Sequence, residues 1–215
     1  MDFLKDYGIL FKDEKLLKMA LTHSSYSNEH AGLNYERLEF LGDSVLQLIV
    51  SEYYYLNTDL PEGNMSKLRA SYVCENALVD YSKAVGIDKH IFVGHGQEKD
   101  INNTIIADCF ESVLGAIYLD QGFEVAKKYV YDVVIPNILA GKEYLIDYKS
   151  LLQELVQTDK KSLEYVLVSE TGPAHDKLFV FEVRIDNIVY GIGKGKSKKE
   201  AEQNAALDAY KKSVK

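Results

Sequence analysis

Little in this sequence of 215 residues ties the chain covalently or suits it to a bilayer. Its two cysteines, Cys74 and Cys109, are far apart and form no metal spacing, so they read as buried thiols of a reducing compartment. The three prolines, Pro61, Pro136 and Pro173, all fall near the proposed ends of elements. No uncharged apolar run reaches the roughly 18 residues a membrane span needs. The segment Met1 to Tyr7 has neither a basic opening nor a long apolar stretch, so no signal peptide and no membrane partner are expected, and the expected location is cytoplasmic. Positive charge is short as well. There are 25 Lys and Arg against 33 Asp and Glu, a net charge of -8, which in bulk argues against a polyanion partner.

The deficit is uneven. Residues 1–144 hold 22 acids and 13 bases, whereas residues 145–215 hold 11 and 12. The apolar pattern changes at the same place. The first part is helical in period, with helices expected over 14–21, 35–56, 64–73, 75–85, 103–119 and 123–138, and turn-rich segments over 24–33, 57–63 and 93–102. The second part reads α-β-β-β-α: a helix over 148–157, strands over 163–169, 178–185 and 188–193, and a closing helix over 197–212. Phe179, Phe181, Val183 and Ile185 alternate onto one face. Asp186-Asn187 suits a tight hairpin. Ala201, Ala205 and Ala209 line one side of the last helix, small enough to lie close on a sheet. The expected fold is therefore two domains, all-α over 1–143 and a small α+β unit over 147–215.

Two stretches of the first part concentrate carboxylates. Glu39 and Asp43 stand at i, i+4, and Asp108 and Glu111 at i, i+3, spacings that put each pair on one side of a helix. Glu36 shares the arc of Glu39 and Asp43, while Leu38, Leu41, Val45, Leu48 and Ile49 fill the opposite one at about 100° per residue. Gly115 continues the stripe of Asp108 and Glu111 and removes bulk there, so that another helix could approach. A solvated acidic face is the plain alternative, but both sets sit among nearly continuous apolar residues, where carboxylates need cations or donors. No His or Cys joins either stripe, which argues against zinc. An all-oxygen donor set suits Mg²⁺ or Mn²⁺. Two such ions fit in-line attack of water on a phosphodiester, one activating the nucleophile and one stabilising the leaving oxygen.

The segment from Asn34 to Leu46, NYERLEFLGDSVL, resembles the signature helix of the ribonuclease III family. The stretch from Ile106 to Ala116 is similar to that family's second acidic helix, and 61–70, PEGNMSKLRA, to a third segment. The resemblance implies that Glu39, Asp43, Asp108 and Glu111 are catalytic and hold the metal. It implies that Glu36 and Glu62 are accessory acids and that Phe40 belongs to a homodimer contact. Asn64 departs from the Asp that some relatives carry.

The stretch Gly193-Lys194-Gly195-Lys196-Ser197-Lys198-Lys199-Glu200 is the most basic. Ser197 and Glu200 have the spacing of a capping box. Lys198 and Lys199 then fall in the first helical turn, where the helix dipole disfavours cations, so they suit phosphate better than stability. This stretch and its element order resemble a double-stranded RNA-binding domain. The resemblance implies three contact regions: Gln153 and Glu154 in one minor groove, Pro173 and His175 in a neighbouring one, and Lys194, Lys196, Lys198 and Lys199 on phosphates between them. Lys160 and Lys161 read as plain surface.

The resulting expectation is a divalent-metal endoribonuclease of double-stranded RNA. The family implies 5′-phosphate and 3′-hydroxyl products with short 3′ overhangs, from a twofold homodimer active in RNA processing. One alternative is a catalytically silent duplex-RNA binder on the same fold, which the intact acidic quartet disfavours. Another is a hydrolase of a different phosphate ester, which the basic module disfavours.

Overall fold

The computed structural model describes residues 3–97, 101–144, 148–158, 161–173 and 177–213. The chain divides into two compact units, residues 1–145 and 146–215. Among the described residues the first unit contains helices α1 (Glu14–Ala20), α2 (Ser24–His30), α3 (Glu36–Asn57), α4 (Glu62–Tyr72), α5 (Glu75–Val85), α6 (Asn103–Gln121), α7 (Phe123–Val133) and α8 (Ile135–Leu139). The second contains α9 (Tyr148–Thr158), strands β1 (Leu163–Thr171), β2 (Leu178–Ile185) and β3 (Ile188–Gly195), and α10 (Lys198–Ser213).

Helix α6 is apolar on nearly every side and runs through the middle of the first unit, with α1, α3, α5 and α7 packed around it. It starts at Asn102, whose side chain accepts the N–H of Ile105 at 3.0 Å. Helix α3 crosses α6 at a junction of two glycines. A Cβ on Gly42 would lie 1.7 Å from the backbone oxygen of Glu111, and one on Gly115 would lie 2.4 Å from that of Leu38. The backbones touch there, which fixes how closely the acidic stripes approach.

Three expectations need correction. Residues 24–30 are helical, not turn. His23 Nδ1 accepts the N–H of Ser25, Ser25 Oγ accepts that of Gly94, and Glu29 accepts that of His95. A local cap and two distant bonds thus hold a polar segment that has no apolar period of its own. The helix expected over 123–138 is two helices, parted at Val134, two residues before Pro136, which has no N–H to give and clashes with a continuing turn. Leu48, placed on the inward arc of α3, is 58% exposed, while its neighbours Val45, Leu46 and Ile49 are buried.

The second unit is an antiparallel sheet in the order β1-β2-β3. Asp186 and Asn187 both have positive φ, 49° and 66°, as a type I′ hairpin requires. Phe179, Phe181, Val183 and Ile185 of β2 meet Leu152 and Val156 of α9 in a separate core. Helix α10 lies flush on β3. A Cβ on Gly191, Gly193 or Gly195 would come within 2.3, 2.1 or 2.6 Å of the α10 backbone, at the turns that carry Ala201, Ala205 and Ala209. The same helix closes the free rim of β3. Asn204 donates to the carbonyl of Lys194, Asp208 accepts from the N–H of Ile192, and Lys212 donates to the carbonyl of Tyr190, at 2.8, 3.0 and 3.2 Å.

Candidate metal centre and nucleic-acid interface

Because α3 and α6 meet backbone to backbone, acids one turn from the junction converge. Carboxylate oxygens of Glu39, Asp108 and Glu111 all lie within 4.8 Å of one another, and each residue is half-buried. Among the described residues none of these three forms an ion pair. Burial pushes the Glu111 carboxyl up to about 8, helped by the charges of Asp43, Glu39 and Asp108. Glu39 rises to about 7, first from burial and then from Asp108, Glu36 and Asp43. Asp108 also rises, mainly from burial, against the opposing pull of a hydrogen bond. That bond comes from the Tyr35 hydroxyl, which donates to Asp108 Oδ2 at 3.0 Å.

Asp43 stands apart from the three. The amide of Gln47, one turn on, donates to both of its carboxylate oxygens at 2.8 and 3.0 Å. Ser51 donates to the Gln47 carbonyl and accepts from Arg69 of α4, extending the chain of bonds. Asp43 is still near enough for its charge to raise both glutamates. Glu36 is exposed beside Glu39. Glu62 is exposed at the first position of α4 and accepts from the Ser66 hydroxyl at 2.8 Å.

A cluster of half-buried acids, all raised by burial and without a paired base among the described residues, fits a hard divalent cation by the chemistry of its donors. Sequence reasoning missed Tyr35, Gln47 and also Glu75, whose charge contributes to the rise of Asp108 and whose carboxylate accepts from Thr104 at 3.0 Å. Phe40 is 78% exposed, one residue along from Glu39 on α3.

In the second unit Lys194, Lys196, Lys198 and Lys199 are all exposed around the start of α10. Ser197 Oγ accepts the N–H of Glu200 at 3.2 Å, and the Glu200 carboxylate accepts that of Lys196 at 2.7 Å, a capping box displaced by one residue. Lys198 also lies over the Phe179 ring at 5.9 Å. Gln153 is exposed on α9 and Pro173 is exposed after β1. His175 and the Glu154 side chain lie outside the described residues.

Residues 13–138 match the ribonuclease-III-like family and residues 148–213 match the double-stranded RNA binding motif. The chain is 48% identical over 214 residues to ribonuclease 3 of Enterococcus faecalis, covering 95% of this chain and 93% of that one. It is 47% identical over 215 residues to ribonuclease 3 of Streptococcus gordonii, covering 96% and 93%. Among solved structures it is similar to the nuclease domain of ribonuclease III from Campylobacter jejuni, at 35% identity and a TM-score of 0.59, over 63% of this chain and 96% of that one. That structure concerns flexibility in a region involved in dimer formation.

Proposed function

The chain belongs to the ribonuclease III family, and from that premise we propose that it hydrolyses double-stranded RNA at a divalent-metal centre formed by Glu39, Asp43, Asp108 and Glu111. The observation that carries this reading is the convergence of Glu39, Asp108 and Glu111 to within 4.8 Å, with no ion pair to offset them among the described residues. Mg²⁺ is the proposed ion, with Mn²⁺ able to substitute. Bound there, the ion would supply Lewis-acid stabilisation of phosphoryl charge and activation of water.

The side chains divide the remaining work. Glu39 and Glu111, from two helices, hold the centre together, and Asp108 joins them while accepting from the Tyr35 hydroxyl. Asp43 joins when its carboxylate turns from Gln47, a rotation within one helical turn. Glu36 and Glu62 are accessory acids that shape the field near the scissile phosphate. Residues 1–143 form the nuclease domain. Residues 147–215 form the RNA-binding domain, with Gln153, Glu154, Pro173 and His175 toward minor grooves and Lys194, Lys196, Lys198 and Lys199 on phosphates. Cutting both strands needs two centres related by symmetry, so the working form is a homodimer with Phe40 at its contact. Its products carry 5′-phosphates, 3′-hydroxyls and short 3′ overhangs, and its role is RNA processing, ribosomal RNA precursors included.

The test is cleavage of an end-labelled RNA duplex with and without chelator, by the wild type and by Glu111→Gln. Chelation should stop scission. The variant should lose cleavage and keep its metal-independent RNA binding. Scission that survives chelation, or a variant that cuts at the wild-type rate, removes the metal centre from the reaction.

A further inference from the structure

Tyr35 links α3 to α6. It immediately precedes α3, and its own backbone N–H donates to the Thr22 carbonyl at 2.9 Å. Its carbonyl accepts the N–H of Glu39 at 2.9 Å, while its hydroxyl donates to Asp108 Oδ2 at 3.0 Å. The ring is 3% exposed and tilted against His23 at 5.7 Å. One buried residue therefore grips the backbone of an acid on α3 and the side chain of an acid on α6.

We propose that Tyr35 is a positioning residue for the metal centre, holding the Asp108 carboxylate in a fixed orientation toward Glu39. The inference rests on the metal-site reading above. A carboxylate turns about its last carbon–carbon bond at little cost when nothing holds it. With Oδ2 engaged by a buried hydroxyl, turning Asp108 forfeits that bond and leaves the hydroxyl without its acceptor. The plane of the carboxylate is thus set before any cation arrives, so less freedom is lost on binding. Partners of this kind, which touch a ligand group and not the metal, typically change metal affinity by about 10- to 100-fold. Tyr35 is itself buried, and contact with RNA is not needed for this role.

Tyr35→Phe removes the hydroxyl and keeps the ring in its packing. Titration of the full-length protein with Mn²⁺, followed by the loss of free-ion electron paramagnetic resonance signal, should show affinity weakened by about 10-fold or more. The Mg²⁺ concentration for half-maximal cleavage should rise by a similar factor, with a smaller change in rate at saturating metal. The same substitution in an Asp108→Ala background should leave Mn²⁺ affinity unchanged, because the acid it orients is gone. An equal loss in that background would reveal general loosening and overturn the assignment. So would unchanged Mn²⁺ binding by Tyr35→Phe beside a wild type that binds normally. A wild type that takes up no Mn²⁺ would instead overturn the metal centre, and the assignment with it.

Discussion

Glu39 and Glu111 ionise against burial first and then against neighbouring carboxylates, at about 7 and about 8 in place of 4.5. In the unfolded chain both lose their protons near the ordinary glutamate value. From about pH 4.5 to about 8 the folded chain therefore binds more protons than the unfolded one. The contribution of these two acids to stability without metal is fully present below that window and is lost as pH rises through it. A cation binds the ionised acids and displaces their protons, so its affinity climbs with pH until about 8. Thermal melts should show Mg²⁺ raising the midpoint more at pH 8 than at pH 5.5. A pH-independent increment would mean that the ion binds elsewhere. Spacing along the chain was enough to single out the four acids. The Gln47 amide was legible in principle, four residues after Asp43. Tyr35 was not, because 73 residues separate it from Asp108 and no periodicity links them.

At the level of helices, the crossing of α3 and α6 depends on two missing side chains. Gly42→Ala would drive a methyl into the Glu111 carbonyl, a backbone atom that cannot swing aside. The variant should lose about 3 kcal/mol or more of stability, read from the denaturant midpoint, and cleavage should fall with it because Glu39 and Glu111 move apart. An unchanged midpoint would mean that the helices do not meet there. Gly115 was readable on its acidic stripe, whereas Gly42 lay hidden inside a motif that drew attention to charge. Helix α2 was missed because its Ser- and Asn-rich sequence mimics a turn and its supports come from residues 94 and 95. In the second unit the alanine ladder of α10 was visible from its spacing. Its partner, the alternating glycines of β3, was not: Gly191 and Gly193 fell in the expected strand over 188–193 and Gly195 in the basic stretch, with nothing to mark a helix against them.

Across the whole molecule, charge is divided between two units that have separate cores. A net charge of -8 coexists with RNA binding because phosphates respond to nearby lysines within a Debye length of about 10 Å. Lys198→Ala combined with Lys199→Ala should weaken duplex RNA binding and flatten the plot of log affinity against log salt by about 1 per lysine. An unaltered slope would take both lysines off the phosphates. The two-domain order was readable from the switch of period near residue 145, which follows from physics local to each segment. Which acids would come within 4.8 Å of one another was a matter of long-range packing.

The seal that Asn204, Asp208 and Lys212 place along β3 has its own consequence. Three backbone groups that would otherwise invite a fourth strand are already satisfied, so recruitment of a foreign strand along that flank must first unzip α10. The RNA-binding unit is thereby shielded from fibrillar stacking on that side.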